Sequence, residues 1–441
     1  MHISPNALVF PAAGKRQGVV QFDGGDVTSD AGLALLAQAD RRLGVTAALT
    51  AAFTDPRQMA KVKHDATAII TARVYAIALG YEDGNDFDRL RHDPALKTVC
   101  GRLPASGSPL MSQETLSRFE HTPTVRDLVR MGWALVDLVI GALPAATTEI
   151  VIDVDPYDDP CHGQQQLSLF NGHYDTRCYL PLAVCVTGTD GVKRPLGAVL
   201  RPGNARAAKG LYTVLRGLVK RLRARCPQAR LILRADSAFG INEVLRWCDA
   251  LALVPLLGLS RNSVLQENSL ATQIDACLKH RWEGDGCREF GEFRYAAGTW
   301  AHAYRVLIKA EITNGELNPR YVISGLDGTP EEDYARYCGR GDAENVWKEY
   351  KVELAADRTS CTTFLANQVR LLWHTAALIL YGALREAAAG TAWAQATVTT
   401  LRTRLLKIGA KLVETCRHIW WHLPTSCPVQ AEWQVILARL C

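Results

Sequence analysis

Two aspartates follow predicted strands of this chain at the point where each strand ends. Asp155 closes the alternating segment 149–155, EIVIDVD, and Asp236 closes the segment 231–236, LILRAD. Because strand ends of a mixed sheet meet at one edge, we expect both carboxylates there. Two carboxylates in that position repel each other unless a divalent cation lies between them. The alternative is that both are turn or cap residues, and two acids alone do not decide between these interpretations.

A polar stripe on a predicted helix supplies a third acid. Segment 337–351, YCGRGDAENVWKEYK, contains four polar residues separated by 3, 4 and 7 positions: Tyr337, Arg340, Glu344 and Lys351. In a continuous α-helix these spacings align the four side chains on one face. A stripe of such polar side chains is unsuited to burial in a hydrophobic core. Instead, Glu344 can bind a metal ion while its neighbours bind phosphates. The alternative is a solvated Arg340–Glu344 pair, which the two strand-end acids make the weaker interpretation.

Three carboxylates form a site of hard oxygen ligands, which favours Mg²⁺ or Mn²⁺ over softer metals. Two such ions can stabilise the attacking and the leaving oxygen of a phosphodiester. The residues therefore predict metal-dependent phosphoryl transfer, with Asp155, Asp236 and Glu344 both as catalytic groups and as ligands of two ions.

The elements that position these residues indicate an α/β fold with helical regions on both sides. Residues 1–145 are mostly helical in pattern. Residues 146–261 contain three β-rich runs followed by helix, strand, helix and strand, which predicts a mixed sheet with helices against it. Residues 262–330 carry three amphipathic β runs and are predicted to be an inserted β-rich subdomain. Residues 331–359 resume as the helix with the polar stripe, and residues 360–441 are again predicted to be helical.

Composition excludes several classes of protein. The chain has 441 residues, of which 48% are hydrophobic and 22% charged, so it is neither disordered nor collagen-like. Its 13 cysteines include no CxxC pair, which is typical of buried thiols in a reducing compartment. The grouping of Cys161, His162, His173 and Cys178 lacks the usual spacing of a zinc site. With no apolar run long enough for a membrane span and no signal-like N-terminus, we expect a cytoplasmic protein without membrane partners.

Several segments resemble, in the same order, those of a known family. They are FDGGDVTSDAGLALLAQADRRLG, SQETLSRFE, DVDPYDDPCHGQQ, LRADSAFG and YCGRGDAENVWKEYK. In these segments the chain is similar to bacterial insertion-sequence transposases of the DDE type. The last segment carries the YREK signature of the insertion-sequence-four superfamily, and the whole set is most similar to its thirteen-eighty group.

The resemblance implies an RNase H-like core with a β-rich insertion between the second aspartate and the glutamate. It implies the catalytic triad Asp155, Asp236 and Glu344, with Mg²⁺ or Mn²⁺ as cofactor. Family members usually continue the first acid with a small residue and Thr, whereas Pro156 and Tyr157 follow here, so Asp153 is the second candidate for that position.

The resemblance also implies DNA partners. Tyr337, Arg340 and Lys351 match positions near the transposon-end DNA, and the implied reaction cuts a strand at a terminal inverted repeat and joins its 3′ hydroxyl to target DNA. A homodimer or higher oligomer is expected on DNA by analogy. Some relatives form a hairpin helped by aromatic stacking, for which Trp282 and Trp300 are candidates, with core packing as the favoured alternative.

Other parts of the chain are candidates for DNA contacts. The basic face of helix 207–225 and the basic segment after residue 401 could contact phosphates, although solvated faces are the commoner explanation. A short polar helix at 112–120 is the candidate for reading the repeats, against a plain surface helix. Two other functions stay open: a non-catalytic DNA-binding protein derived from a transposase, and a general RNase H-like nuclease.

Overall fold

The computed structural model describes residues 7–12, 14–284 and 286–441. Its strands are β1 (Leu8–Pro11), β2 (Gln17–Val20), β3 (Val27–Thr28), β4 (Glu149–Pro156), β5 (Asp159–Pro160), β6 (Leu169–Asn171), β7 (Thr176–Tyr179), β8 (Leu182–Thr187), β9 (Lys193–Val199), β10 (Arg230–Ala235), β11 (Val254–Leu259), β12 (Arg288–Tyr295), β13 (Tyr304–Thr313), β14 (Glu316–Ser324), β15 (Ala410–Glu414) and β16 (Ile419–His422).

Its helices are α1 (Leu33–Leu43), α2 (Val45–Ala52), α3 (Ala66–Ala78), α4 (Phe87–Leu90), α5 (Pro94–Val99), α6 (Gln113–Glu120), α7 (Val125–Gly141), α8 (Leu211–Arg225), α9 (Asn242–Leu251), α10 (Ser263–Asn268), α11 (Leu270–Glu283), α12 (Pro330–Cys338), α13 (Arg340–Lys348), α14 (Phe364–Ala387), α15 (Val398–Leu401) and α16 (Gln430–Leu440). Within the described residues, no helix has both the length and the apolar character needed to cross a membrane.

The chain forms two compact units. Unit 1 comprises residues 1–50, 55–122 and 380–441, and unit 2 comprises residues 51–54 and 123–379. Unit 1 is therefore built from both ends of the chain, whereas unit 2 is nearly continuous in sequence. The resemblance divides the chain into a DNA-binding region (1–145), an RNase H-like core (146–261 and 331–359) with an inserted subdomain (262–330), and a C-terminal region (360–441). This division stays a prediction.

An eight-stranded mixed sheet forms the centre of unit 2. Its order is β12-β13-β14-β11-β10-β4-β8-β9, and β4, β10 and β11 run parallel while the other neighbours are antiparallel. The predicted mixed α/β fold is thus confirmed. The register pairs Asp153 with Arg234 and Val154 with Ala235, so β4 and β10 end at the same level. This places the backbone of Asp155 beside that of Asp236.

The β-rich segment between residues 262 and 330 continues the main sheet instead of forming a separate one. β14 pairs with β11 from Leu256 opposite Ser324 to Leu259 opposite Tyr321. One hydrophobic cluster spans this junction, with buried members from both sides: Ile232, Leu256, Leu307, Val322, Leu326 and Tyr334. The physical reason is that β11 would otherwise end the sheet as an edge strand with unpaired backbone groups.

The C-terminal region is not helical throughout, so that prediction was wrong for residues 410–422. β15 and β16 form an antiparallel hairpin, and β15 also pairs with β3 near the N-terminus. In β15 burial alternates, because Ala410 and Leu412 are buried while Lys411 between them is exposed. A period of two with aromatic residues in the partner strand favours a half-buried sheet over a helix.

Candidate active site

The first two acids are positioned by the parallel pair β4 and β10. Asp155 is the penultimate residue of β4, and Asp236 follows β10 directly as the cap of a short 3₁₀ turn. The Asp236 carboxylate accepts a hydrogen bond of 2.9 Å from the Ala238 amide, which fixes the start of that turn. A methyl group added at Gly258 on β11 would lie 2.7 Å from the Ser237 amide nitrogen. Only glycine therefore lets β11 approach the Asp236 turn so closely.

The third acid comes from α13, which is a separate helix from α12. In a continuous helix the Arg336 carbonyl would accept from the Arg340 amide, but here it accepts a 2.5 Å hydrogen bond from Arg234. A methyl group at Gly339 would lie 2.6 Å from the same guanidinium, so the break needs glycine. α13 begins at Arg340 and presents Glu344 one turn later.

The polar stripe is only partly preserved. Arg340 forms an ion pair with Glu344 and hydrogen-bonds to Tyr337, so these three side chains stay together. Lys351 lies in a π-helical segment, Glu349–Glu353, which changes the helical phase after α13. Its amine pairs with Asp158 at 2.7 Å, so the expectation of one stripe that includes Lys351 was wrong.

The charges of the other two predicted acids act on the carboxyl group of Asp155. Burial raises the pKa of Asp155 to about 7. The Arg340 guanidinium, 3.9 Å from the Asp155 carboxylate, opposes that shift. The negative charges of Asp236 and Glu344 add to the rise in this pKa. Arg340 is therefore the cation that Asp155 and Glu344 share.

Asp153 and Asp155 face the same side of β4 but have different surroundings. Asp153 is buried and accepts two hydrogen bonds from Arg234, at 2.6 and 2.9 Å. Both side chains of that pair are less than a tenth exposed, whereas the Asp155 side chain is 23% exposed. Asp153 is thus already occupied as a structural ion-pair partner, and Asp155 is the acid that a ligand can reach.

Further acids lie directly after β4, around Lys351. Asp159 is fully buried and accepts a 2.8 Å hydrogen bond from Thr359. Burial raises its pKa well above the ordinary value, against the hydrogen bond from Thr359. Burial also raises the pKa of Asp357, and the Lys351 amine opposes that rise. Asp158, in contrast, is bound directly to the Lys351 amine, so it fixes where this lysine points.

Tyr337 connects the helical side of the site to the sheet. Burial raises the pKa of its hydroxyl, and the nearby Arg340 acts in the opposite direction. Its ring packs near Tyr334 with centroids 5.9 Å apart. A methyl group at Gly258 would lie 2.6 Å from the Tyr337 hydroxyl oxygen, so the same glycine accommodates Tyr337 and the Asp236 turn.

The two tryptophans considered for base stacking differ in environment. Trp282 ends α11 with its side chain 87% exposed. Trp300 lies edge-on between Tyr295 and Tyr304, with centroid distances of 5.3 and 5.6 Å. Trp300 therefore packs in an aromatic cluster of the β12–β13 connection, whereas Trp282 does not pack in the core. A role for either in a hairpin step stays a prediction.

The donor chemistry at the candidate site fits a hard divalent cation. Asp155, Asp236 and Glu344 offer only carboxylate oxygens, with no thiol or imidazole among them. In the described part of the chain, no group of three or more His, Cys, Asp or Glu side chains is arranged to hold a metal ion. At this site Arg340 lies between Asp155 and Glu344. The absence of such a metal-binding group in the described residues also applies to Cys161, His162, His173 and Cys178, which were considered for zinc.

Sequence reasoning missed Arg234 and Arg336 beside the site, and it missed the pairing of Lys351 with Asp158. Arg234 was visible within LILRAD, where a charged residue interrupts a buried strand and needs a buried acid as partner. That signal predicts a buried acid as its partner, and the structure shows that this acid is Asp153. The bond from Lys351 to Asp158 had no local signal, because 193 residues separate the two.

Comparison with known proteins gives one match over nearly the whole chain. Residues 10–441 match the family model described as transposase DDE domain group 1. Among curated proteins, none matches the sequence significantly. Because this family model covers nearly the whole chain, the chain belongs to the family of transposase DDE domain group 1.

Proposed function

We propose that this protein is an insertion-sequence transposase that cuts the ends of its element and joins them to target DNA. The observation that carries the proposal is the ion pair of Arg340 with Glu344 and its approach to the Asp155 carboxylate at 3.9 Å. The charge of Asp236 acts on the same Asp155 carboxyl group, whose pKa it helps to raise. We assign it to the YREK-bearing insertion-sequence-four superfamily, nearest the thirteen-eighty group, since Tyr337, Arg340 and Glu344 remain in contact as one cluster.

We further propose that strands β9-β8-β4-β10-β11 are the RNase H-like core. Two observations support this. β4, β10 and β11 run parallel. The chain passes from β9 through α8 to β10, and from β10 through α9 to β11. Strands β12 to β14 are then the β-rich insertion, which extends the core sheet beyond β11. In this arrangement Asp155 and Asp236 lie at the C-terminal ends of two central strands, and α13 contacts β4.

In this proposal Asp155, Asp236 and Glu344 hold Mg²⁺ or Mn²⁺, two ions in the active complex. Bound ions would supply positive charge to the phosphodiester oxygens that gain charge during displacement. The chain's own part is to position the DNA: Arg340 donates to a phosphate as a planar fork, and Lys351 adds a point charge. Phosphate binding by Arg340 requires that its guanidinium leave the carboxylates it now contacts.

The proposed reaction has two displacements at phosphorus. Water attacks the phosphodiester at the element end, the P–O bond to the 3′ oxygen breaks, and that oxygen leaves as a hydroxyl. The freed 3′ hydroxyl then attacks a target phosphodiester, so one P–O bond forms as another breaks. We propose that two or more copies of the chain bring the terminal inverted repeats together.

A cleavage assay tests this function. The full chain is incubated with a duplex that carries an element end and flanking DNA, with Mg²⁺, Mn²⁺ or EDTA. We expect strand cleavage only with a metal, and a loss of roughly 1,000-fold or more in Glu344→Gln and Asp236→Asn. Asp342→Asn is the matched control, since this exposed acid of the same helix pairs only with Lys193 at 3.1 Å.

Two other functions give different results in the same assay. If both acid variants cut as fast as the natural protein, the proposed active site is wrong and a non-catalytic DNA-binding role is favoured. If the natural protein cuts DNA but never joins an end to a plasmid, the chain is a nuclease on the same core. Insertion products that disappear in Glu344→Gln support the transposase.

A further inference from the structure

Unit 1 contains a basic groove, far along the chain from the acids of the candidate active site. It has a volume of about 540 Å³. Its walls come from the segment before α3, from the end of α4 and from the start of α6. The lining residues that matter here are Lys61, Lys63, His64, Arg91, Ser112 and Thr115.

The groove carries positive charge that the protein itself does not neutralise. Lys61 and Lys63 are exposed, and among the described residues neither they nor Arg91 forms an ion pair with a carboxylate. The Arg91 Nε atom is buried without a hydrogen-bond partner. Arg57 also lines the groove, but its charge is neutralised, because its guanidinium donates to the Asp55 carboxylate at 2.6 and 2.8 Å. Three cations thus face the same space without an acid.

His64 also lines the groove, and the same positive charges act on its imidazole. Its Nδ1 atom lies 2.7 Å from an Arg102 guanidinium nitrogen and therefore acts as the acceptor. The pKa of His64 is lowered to about 4, by burial first and then by the charges of Arg102, Lys63 and Arg91, while the charge of Asp65 opposes this shift. The imidazole is consequently neutral at pH 7. The cations are close enough to act on one buried group together.

The first turn of α6 adds hydrogen-bond donors to this groove. Ser112 occupies the position before the helix but makes no capping hydrogen bond to it. Its hydroxyl instead lies 3.2 Å from the Thr115 hydroxyl. Backbone amides of a first turn have no partner within the helix, and they favour anions. Two hydroxyls and this turn therefore border the three unpaired cations.

We propose that this groove binds the phosphate backbone of double-stranded DNA. A chain of phosphodiesters fits better than a small anion, because Lys61 and Lys63 are exposed on an open surface rather than enclosed around one charge. Binding of several cations to one DNA backbone also raises the affinity, because the DNA releases counterions. The proposal rests on the proposed function, in which DNA is the substrate, and it adds a contact surface in unit 1 to Arg340 and Lys351 of unit 2.

The test measures DNA binding rather than cleavage. Fluorescence anisotropy of the full chain with a 30-bp random-sequence duplex in EDTA gives the Kd as a function of salt, the duplex length being about three helical turns. We expect Lys61→Gln/Lys63→Gln to weaken binding about tenfold and to reduce the salt slope by about 2. Lys61→Arg/Lys63→Arg retains both charges and should bind like the natural protein.

A matched control removes two charges elsewhere in unit 1. Lys15 and Arg16 are exposed outside the groove, and we expect Lys15→Gln/Arg16→Gln to keep the natural salt slope. A groove variant with the natural Kd and slope would overturn the proposal while leaving the transposase function intact. A natural protein that binds no DNA would overturn both.

A second duplex that carries an element end separates backbone binding from base reading. Because phosphate contacts carry no sequence information, we expect the same loss of affinity on both duplexes. A loss confined to the element end would overturn the assignment to the backbone.

Discussion

Two aspartates of β4 have opposite roles although only one residue separates them. Asp153 neutralises Arg234 in a buried, doubly hydrogen-bonded pair. Asp155 instead faces other acids and shares Arg340 with Glu344. A buried charge that loses its partner is strongly unfavourable, whereas removal of one acid among several relieves repulsion. Stability and activity should therefore separate at these two positions.

We predict that Asp153→Ala lowers the free energy of unfolding by about 3–5 kcal/mol, because it leaves the Arg234 charge buried and unpaired. Asp155→Ala should change it by less than about 1 kcal/mol while abolishing cleavage. Urea unfolding followed by tryptophan fluorescence measures the first effect, and the cleavage assay the second. If Asp153→Ala unfolded at the same urea concentration as the natural protein, the structural role of Asp153 would be wrong.

At the scale of elements, the break between α12 and α13 decides where the third acid lies. The Arg336 carbonyl bonds to Arg234, and Gly339 leaves the space for that guanidinium. The π-helical segment after α13 then directs Lys351 to Asp158. Tyr337 therefore stays beside Arg340 across the first irregularity, whereas Lys351 has a different partner after the second.

Gly339→Ala tests this geometry. A methyl group 2.6 Å from the Arg234 guanidinium must displace it, so we predict a loss of about 1–3 kcal/mol in stability and a roughly 10- to 100-fold loss in cleavage. Gly341→Ala is the control, since its nearest neighbour outside the helix backbone is the Glu344 carboxylate at 4.0 Å. Equal cleavage rates in these two variants would contradict the role given to the break.

At the scale of the whole molecule, unit 1 depends on both ends of the chain. The amides of Ala31 and Gly32 donate to the carbonyls of Ile408 and Leu406, at 2.9 and 3.1 Å. The amine of Lys407 pairs with buried Asp30 at 2.8 Å. These contacts join the beginning of α1 to the segment before β15. Folding of unit 1 therefore requires the C-terminal residues.

We predict that Gly32→Ala destabilises unit 1 by about 1–3 kcal/mol, because the added methyl group would lie 2.2 Å from the Leu406 Cα atom. Hydrogen exchange of α3 amides should accelerate, while exchange of β10 amides in unit 2 stays unchanged. Gly132→Ala in α7 is the control, since its nearest atom is 3.8 Å away. Equal acceleration in both units would contradict the division into two compact units.

Local sequence patterns were enough to predict the strands of the sheet and the positions of its acids. The alternation in EIVIDVD and the apolar segment LILRAD indicated β4 and β10, and both predicted aspartates lie where these strands end. Period-two patterns also marked β12, β13 and β14. Such predictions succeed because the repeat of a strand or helix is a property of neighbouring residues.

Contacts between residues far apart in sequence became clear from the folded chain. The tertiary structure joined β14 to β11, paired Asp153 with Arg234 across 81 residues, and bound Lys351 to Asp158 across 193. It also brought residues 410–422 into a sheet with β3, where a helix was expected. Periodicity carries no information about partners so distant in sequence, because their pairing depends on which buried charges and open strand edges remain after the local elements form.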